Sequence, residues 1–262
     1  RSADLYALRD ENMLGRQTAT VWRLMGEAAG MLLAVLALML TLVLPESREA
    51  LAVVPMSIGQ WCADQEHDSC TWQAWQVAKN LAPEDPNPQL ALGTFYWERK
   101  DAESAAEAFE KALSLAPDLP EAYNNLGLIY AHQGRHEDAI AAFRRALELE
   151  PGIAATEHNL GASLQAIQNY DEAVAHYQTS MALSGPQVGT LLNMAIAYYE
   201  AGQPEDAESL ANEALRLVPD LAPAHTVLGA VALEVEQPEV ALSELQRAVD
   251  LDDGYGQAYF YL

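Results

Sequence analysis

The sequence predicts an all-α protein, with a single N-terminal transmembrane helix followed by an α-solenoid of stacked helix pairs. Two observations lead to this prediction. The same residue types return every 34 positions over most of the 262 residues, and a run of 17 uncharged residues, 28–44, precedes the repeats. Half of the residues are hydrophobic, which is enough for an extended core in which each repeat packs against its neighbours.

The uncharged run reads AAGMLLAVLALMLTLVL and, extended back through Trp22, approaches the roughly 20 residues that span a bilayer core. A transmembrane helix is therefore expected over 21–44. Four arginines lie before its apolar run: Arg1, Arg9, Arg16 and Arg23. Only Arg48 follows it before Lys79. By the positive-inside rule, 1–20 is expected in the cytoplasm and the repeats in the periplasm, beyond a single-pass anchor in a bacterial inner membrane.

A cleaved signal peptide is the alternative interpretation of this segment, with ALA at 50–52 as the cleavage site. A long N-terminal region that contains Asp4, Asp10 and Glu11 is atypical of signal peptides and favours an uncleaved anchor. Within the anchor, Gly26, Gly30 and Ala34 form a line of small residues. Such a line allows close packing against another membrane helix, although it also arises by chance in helices rich in alanine and glycine.

The two cysteines, Cys62 and Cys70, have seven residues between them, and Trp61 and Trp72 flank them. The spacing fits neither a redox C-x-x-C motif nor a haem-attachment motif, and His67 alone does not complete a zinc site. In an oxidising compartment a short disulfide loop is expected, whereas two free thiols would indicate the cytosol.

The repeat unit is clearest in two consecutive copies. The first copy carries Leu92, Gly93, Tyr96, Ala105, Phe109, Ala112 and Pro117. The second carries Leu126, Gly127, Tyr130, Ala139, Phe143, Ala146 and Pro151, each 34 positions later. Three weaker copies follow in the same phase. The period and these columns resemble the tetratricopeptide repeat family over residues 86–253, which implies a right-handed superhelix of helix-turn-helix units.

Stepping back 34 positions from the first copy reaches Trp75, Ala78 and Pro83, so a degenerate half-repeat is expected there. The predicted organisation is a cytoplasmic segment 1–20, a transmembrane helix 21–44, a periplasmic linker with a disulfide loop 45–70, a capping half-repeat 71–85, repeats at 86–119, 120–153, 154–187, 188–221 and 222–255, and the start of a sixth repeat or a cap at 256–262.

Small and large residues within the unit predict how its helices pack. Gly127 lies mid-way along a first helix, where a small residue lets a neighbouring helix approach closely. Ala139 and Phe143 lie four apart on one face of the second helix, so the aromatic ring fills the space that the alanine leaves. A positive φ is expected in the turns between the helices, at Gly134, Asn169 and Gly202.

The first helices of such a superhelix form its inner wall. The column before the repeated leucine reads Ala91, Asn125, Asn159, Asn193 and Val227. The three asparagines resemble the ladder by which some tetratricopeptide superhelices hold the backbone of an extended peptide, since an amide both donates and accepts hydrogen bonds. An asparagine that is merely tolerated in this column is the alternative. Further wall candidates are Trp97, Asn124, Leu128, His132, His158, Gln165, Ile196 and Tyr199.

Composition restricts the kind of partner. The 14 basic and 38 acidic residues give a net charge of −24, which argues against nucleic acid. The acidic surface either serves solubility or suits a basic protein partner. The sequence contains no nucleophile motif, phosphate-binding loop or metal-ligand pattern, so no catalytic residue, metal, cofactor or small-molecule substrate is expected.

The sequence therefore predicts a membrane-anchored scaffold that holds a peptide or helix of a partner protein and assembles or stabilises a membrane or envelope complex. The alternatives are a permanent accessory subunit held by its transmembrane helix, the targeting arm of an enzyme whose catalytic part lies beyond Leu262, and a cytoplasmic signalling adaptor with the opposite topology.

Overall fold

The computed structural model describes residues 48–252 and 256–261, and all of its regular structure is helical. The helices are α1 Arg48–Asp64, α2 Asp68–Leu81, α3 Asn87–Glu98, α4 Ala102–Leu115, α5 Pro120–His132, α6 His136–Leu149, α7 Ala154–Ala166, α8 Tyr170–Ser184, α9 Val188–Glu200, α10 Pro204–Leu217, α11 Ala222–Glu234, α12 Pro238–Leu251 and α13 Gly256–Tyr261. The prediction of an all-α repeat solenoid is confirmed. The chain divides into two compact units, Arg1–Asp118 and Leu119–Leu262.

The predicted transmembrane helix 21–44, with Gly26, Gly30 and Ala34, lies outside the described residues. None of the helices that the structure does describe is long and apolar enough to cross a bilayer.

The first unit contains two helix pairs, α1 with α2 and α3 with α4. This differs from the sequence interpretation, in which 45–70 was a linker and 71–85 a half-repeat, because residues 48–64 form the missing partner helix. Gly59 lies 34 residues before Gly93, and a Cβ added to it would lie 2.2 Å from Nε1 of Trp75. The leading repeat is therefore complete, and Trp75 packs on α1.

The predicted disulfide between Cys62 and Cys70 is present and links the end of α1 to the start of α2. Both cysteines are almost fully buried. The bond thus joins the two helices of the leading repeat at their turn.

Aromatic and polar contacts join α2 to α3. The Trp72 indole donates a hydrogen bond to the Tyr96 hydroxyl at 2.9 Å. The Trp75 and Phe95 rings meet edge to face with their centroids 6.0 Å apart. Arg99 lies over the Phe95 ring and pairs with a carboxylate at the start of α2. The two pairs of the first unit therefore share a continuous packed surface.

The second unit contains four helix pairs, α5 with α6 through α11 with α12, followed by α13. Each second helix also contacts the first helix of the next repeat. Consecutive first helices contact one another, whereas consecutive second helices have at most marginal contact. The first helices are thus the more closely spaced row, and the stack in this unit curves towards them.

Glycine and aromatic residues determine how closely the two helices of a repeat approach. A Cβ added to Gly127 would lie 2.5 Å from Cε1 of Phe143, and one added to Gly161 would lie 2.8 Å from Cε1 of Tyr177. Both rings are fully buried. The predicted close approach of the helices is confirmed. In each repeat the aromatic ring of the second helix packs directly on the glycine of the first helix.

The turns inside the repeats place one left-handed residue every 34 positions. Gly134 and Gly202 have φ of 74° and 72°, as predicted, but in the third repeat the position belongs to Gln168 and not to Asn169. Lys100 and Glu236 continue the same series. The chain geometry therefore holds the turn conformation even where no glycine relieves the steric cost.

Two repeats contain the same hydrogen-bonded histidine-glutamate pair with its members exchanged. In the third repeat His176 Nδ1 lies 2.6 Å from Oε2 of Glu157, and in the fifth His225 Nδ1 lies 2.7 Å from Oε2 of Glu244. The two histidine-glutamate pairs occupy equivalent positions two repeats apart. Each joins the first and second helix of its own repeat, so these histidines are structural.

Candidate functional site

The exposed side of the first helices in the second unit, α5, α7, α9 and α11, is called the inner wall below. Asn125, Asn159 and Asn193 lie on three consecutive helices of this wall, each half-buried. Each asparagine immediately precedes a buried core residue, which holds its Cα at the edge of the packed interior. The fourth helix has a buried valine, Val227, in this column.

Asn124 joins α5 to α7. The Thr156 hydroxyl, which is buried, donates a hydrogen bond to Asn124 Oδ1 at 3.0 Å. The Asn124 amide in turn lies 3.5 Å from Oδ1 of Asn125, a long and weak contact. Asn124 is therefore occupied by the scaffold, whereas Asn125 keeps most of its hydrogen-bonding capacity.

His158 joins α7 to α9. Its Nδ1 lies 2.9 Å from the Thr190 hydroxyl, and its Nε2 lies 3.4 Å from Nδ2 of Asn193. The Nδ2 nitrogen of Asn193 can only donate, so with this orientation of the amide Nε2 accepts and Nδ1 carries the proton. Burial lowers the pKa of His158, which favours this neutral form. Both ring nitrogens of His158 therefore have partners within the wall, and neither is left to form a hydrogen bond with a ligand.

An open cleft of about 430 Å³ lies beside this histidine, and Asn193, Gln165, Tyr177 and Glu200 are among its lining residues. The Tyr177 hydroxyl donates to Gln165 Oε1 at 2.9 Å, and Gln165 Nε2 donates to Oε2 of Glu200 at 3.2 Å. Burial raises the pKa of Tyr177, so its hydroxyl remains a donor. The cleft therefore presents fixed amide and carboxylate groups to whatever enters it.

Asn159 is the wall asparagine whose amide group has no hydrogen-bond partner within the described part of the chain. It lies on α7, between the helices that carry Asn125 and Asn193. Its side chain is half-buried, so both its donor and its acceptor remain available.

The remaining predicted wall residues differ in their environment. Leu128 is half-buried against one core cluster, and Ile196 and Tyr199 are half-buried against another, so part of each side chain serves packing. His132 is exposed at the end of α5. Burial and the nearby Tyr261 raise the pKa of Tyr199 to about 12.

Trp97 is half-buried on α3 and belongs to the first unit. It is therefore not one of the residues of the inner wall, which is defined in the second unit.

Family models agree with this architecture. Tetratricopeptide repeat models match residues 78–153 and 192–256, and a second such model matches residues 152–220. The chain belongs to the tetratricopeptide repeat family. Its fold is that of a scaffold for protein-protein interaction.

Several solved tetratricopeptide structures are similar to this chain. Pseudomonas aeruginosa PilF has a TM-score of 0.67 at 18% identity, over 82% of this chain and 98% of that one. PilW, a type IV pilus biogenesis factor, has a TM-score of 0.67 at 19% identity, and the match covers 80% of this chain and 97% of PilW. YrrB, described as having an unusual peptide-binding site, has a TM-score of 0.64 at 21% identity, and the match covers 71% of this chain and 96% of YrrB. No curated protein sequence gives a significant match.

Three residues that connect the wall helices or line the cleft were not predicted from the sequence. Thr156 and Thr190 connect neighbouring repeats through their hydroxyl groups. Glu200 accepts the last hydrogen bond of the series that runs from Tyr177 through Gln165 at the cleft. The two threonines lie 34 residues apart, in one column of the tetratricopeptide repeat, so the period itself could have indicated them. Among the described residues, no group of three histidine, cysteine or acidic side chains is arranged to hold a metal ion.

Proposed function

We propose that this tetratricopeptide protein is a membrane-anchored scaffold whose inner wall holds an extended segment of a partner protein. By that capture it assembles or stabilises a membrane or envelope complex. The anchor confines the scaffold to the membrane surface, which raises the local concentration of its partners.

The ladder of wall asparagines carries this proposal, with Asn159 at its centre. An amide with a free donor and a free acceptor on a half-buried helix face can pair with both groups of a peptide unit. Asn125 and Asn193 lie one repeat to either side and retain free acceptor or donor groups. The three amides can thus contact the backbone of an extended chain whatever its side chains are.

The similar structures agree with this function. YrrB is described as having a peptide-binding site and PilW as a biogenesis factor for a type IV pilus. A repeat wall that binds a segment of another protein is in keeping with both descriptions.

The exposed side of α1 supports a location at the membrane. Val53 and Trp61 are 63% and 52% exposed, and Val54 lies on the same side of the helix. Helix α1 begins four residues after the predicted transmembrane segment 21–44. Tryptophan and aliphatic side chains in this position suit the bilayer interface. The same face, together with Gly26 and Gly30, favours a second candidate function, that of a permanent accessory subunit held through its membrane helix.

The test is a mild-detergent pull-down from native membranes with the full chain and the triple variant Asn125→Ala, Asn159→Ala, Asn193→Ala. The matched control replaces three exposed amides on second helices, Gln178, Asn212 and Gln246, by alanine. Loss of a partner from the ladder variant alone supports peptide capture. Retention of every partner by both variants refutes it and favours the accessory subunit.

The proposed periplasmic location has its own test. Protein taken from its native membrane is alkylated without reduction and its mass is measured. We expect Cys62 and Cys70 to be protected as a disulfide. Complete alkylation of both thiols would place the repeats in the cytosol and contradict the proposed topology.

A further inference from the structure

The junction between the fourth and fifth repeats lacks a large side chain that earlier junctions have. The first helices α3, α5, α7 and α9 carry a large residue in one column: Tyr96, Tyr130, Leu164 and Tyr198. The Tyr96 hydroxyl accepts a hydrogen bond from Trp72, and the Tyr198 hydroxyl accepts one from Gln178, each from the preceding second helix. In α11 the same column holds a buried alanine, Ala232. A ring is therefore missing where α11 meets α10.

An open notch of about 170 Å³ lies beside Ala232, between the second helices α10 and α12. Leu228 and Val231 of α11 line it, together with Val235 and Val240, which are 42% and 47% exposed. An apolar cavity of about 150 Å³ admits a benzene ring. The notch therefore has room for one aromatic side chain, and that side chain can enter from the surface.

The amide beside the notch suits a phenol better than a plain ring. Asn212 lines the notch and lies 34 residues after Gln178, the residue that bonds to the Tyr198 hydroxyl. Its Nδ2 donates to the backbone oxygen of Glu208 at 3.0 Å, and its Oδ1 has no partner within the described chain. A tyrosine hydroxyl in the notch can donate to that oxygen. The fifth repeat thus keeps an amide in this position but has no tyrosine to pair with it.

The charge around the notch favours an occupant with a cation. Glu208 lines the notch and is exposed, whereas the same column holds the buried aliphatic residues Ile140 and Val174 in earlier repeats. No cation of the described chain lies within ion-pair distance of Glu208, while the other carboxylate of the notch, Glu244, is bonded to a histidine. Helices α10, α11 and α12 carry eight carboxylates and two arginines. A positive charge beside the entering ring therefore complements this surface.

We propose that the notch is a second protein-binding site, which takes a tyrosine side chain from a partner segment that has an arginine or lysine two residues away. In an extended segment residues two apart emerge on the same side, so the cation lies beside the ring. The ring packs on Leu228 and Val240, the hydroxyl donates to Asn212, and the cation meets Glu208. The notch shares no residue with the asparagine ladder, so this site is additional to the peptide capture proposed above.

Saturation-transfer difference NMR with the full chain in non-ionic detergent micelles tests the site. The probe is the peptide Arg-Ser-Tyr-Ser-Arg, titrated beside peptides with phenylalanine or alanine in place of the tyrosine, and empty micelles give the background. We expect the ring protons to receive the strongest saturation. The tyrosine peptide should bind about threefold more tightly than the phenylalanine peptide and about tenfold more tightly than the alanine peptide.

Filling the notch from within should abolish the site. Ala232→Tyr supplies the side chain that the fourth repeat has in this column, so it should weaken the tyrosine peptide about tenfold or more without lowering the unfolding temperature. The matched control, Ala175→Tyr, adds the same side chain at an exposed position of α8 and should bind as the unchanged chain does. Val240→Ser, at the exposed rim, should also weaken binding and serves if Ala232→Tyr does not fold.

The role of the charge has its own pair of variants. Glu208→Gln should weaken the arginine peptide about threefold and leave a peptide with serines in place of the arginines unchanged. Glu239→Gln removes an exposed carboxylate of α12 that does not line the notch, and it should affect neither peptide. Equal losses in both variants would assign the effect to the general acidity of the chain and overturn the selection of a cation.

Two results would overturn the site itself. One is equal binding of the tyrosine peptide to the unchanged chain and to folded Ala232→Tyr, and the other is binding no tighter than that of the alanine peptide. Self-association in sedimentation equilibrium that Ala232→Tyr abolishes would identify a second copy as the occupant and overturn the foreign partner. The triple asparagine variant should keep its affinity for the tyrosine peptide, so the membrane pull-down decides peptide capture independently of the notch.

Discussion

Replacing Gly127 by alanine should destabilise the second repeat, although alanine is the better helix former. The added Cβ would lie 2.5, 2.7 and 2.8 Å from three carbons of the Phe143 ring. Real Cβ contacts are essentially never closer than about 3 Å, so the ring or the helix must move. The ring is fully buried, with Ala139 and Ile140 in the same core cluster, so it has little room to do so.

The expected size follows from two opposing terms. Overpacking a core of native density costs about 1–3 kcal/mol, and exchanging glycine for alanine within a helix returns about 1 kcal/mol. The net loss should therefore lie between zero and about 2 kcal/mol, with a central value of about 1 kcal/mol. Phe143→Ala alone should cost about 3–5 kcal/mol, since it leaves a cavity. In that background Gly127→Ala should become neutral or stabilising, because the double variant reproduces the Ala195 and Ala211 pair of the fourth repeat.

Urea unfolding of the four proteins, followed by far-UV circular dichroism, gives the coupling free energy of the double-mutant cycle. We expect about 2 kcal/mol of coupling between Gly127 and Phe143. The control is Gly189→Ala, in the first turn of α9, where an added Cβ meets nothing within 4 Å and only the gain in helix propensity remains. Equal stability of the Gly127→Ala and Gly189→Ala proteins would show that the ring moves freely and would refute the close-packing explanation.

Three further predictions concern the turn, the histidine and the disulfide. Cys62→Ala with Cys70→Ala should destabilise the leading repeat by about 2.5 kcal/mol, the chain-entropy value for so short a closed loop, as measured by hydrogen exchange in α1 and α2. Gln168→Gly should stabilise the protein by about 0.5–1 kcal/mol in thermal unfolding, because it relieves a φ of 63°. Because burial lowers the pKa of His158 below its ordinary value of 6.5, the unfolded chain binds that proton more tightly. Stability should therefore fall as the pH drops below about 6.5, and His158→Gln should flatten this part of the profile; an unchanged slope would contradict the assignment.

The packing of the repeats could be predicted from the sequence because one column of small residues faces one column of large ones. Gly127 and Phe143 show this, since both types recur 34 positions earlier. The leading repeat was less visible. Ile58 and Gly59 occupy the expected columns, but Cys62 stands where later repeats carry a tyrosine, and Pro55 is unfavourable inside a helix. The buried Pro55 is nevertheless part of α1. A helix can thus survive a poor local sequence when its neighbours bury it.

The turn positions show a second limit of the sequence. A positive φ was expected at Asn169, because asparagine tolerates that conformation better than glutamine does. The structure places it at Gln168, in register with Gly134 and Gly202. The repeat length sets the geometry of the turn, and the residue at that position accepts the strain. Local preference alone could not reveal this, although the period could.

The predicted asparagine ladder and its neighbours separate into two kinds of residue once the contacts are known. Asn124 and His158 bond to threonines on the next first helix and thereby hold the wall helices together. Asn159 is left without such a bond in the described chain, and Glu200 has only a neutral donor. Sequence position could not distinguish these kinds, because Asn124 and Asn125 are adjacent and chemically identical. Only the reach of the facing side chain decides which amide stabilises the solenoid and which remains available to a partner.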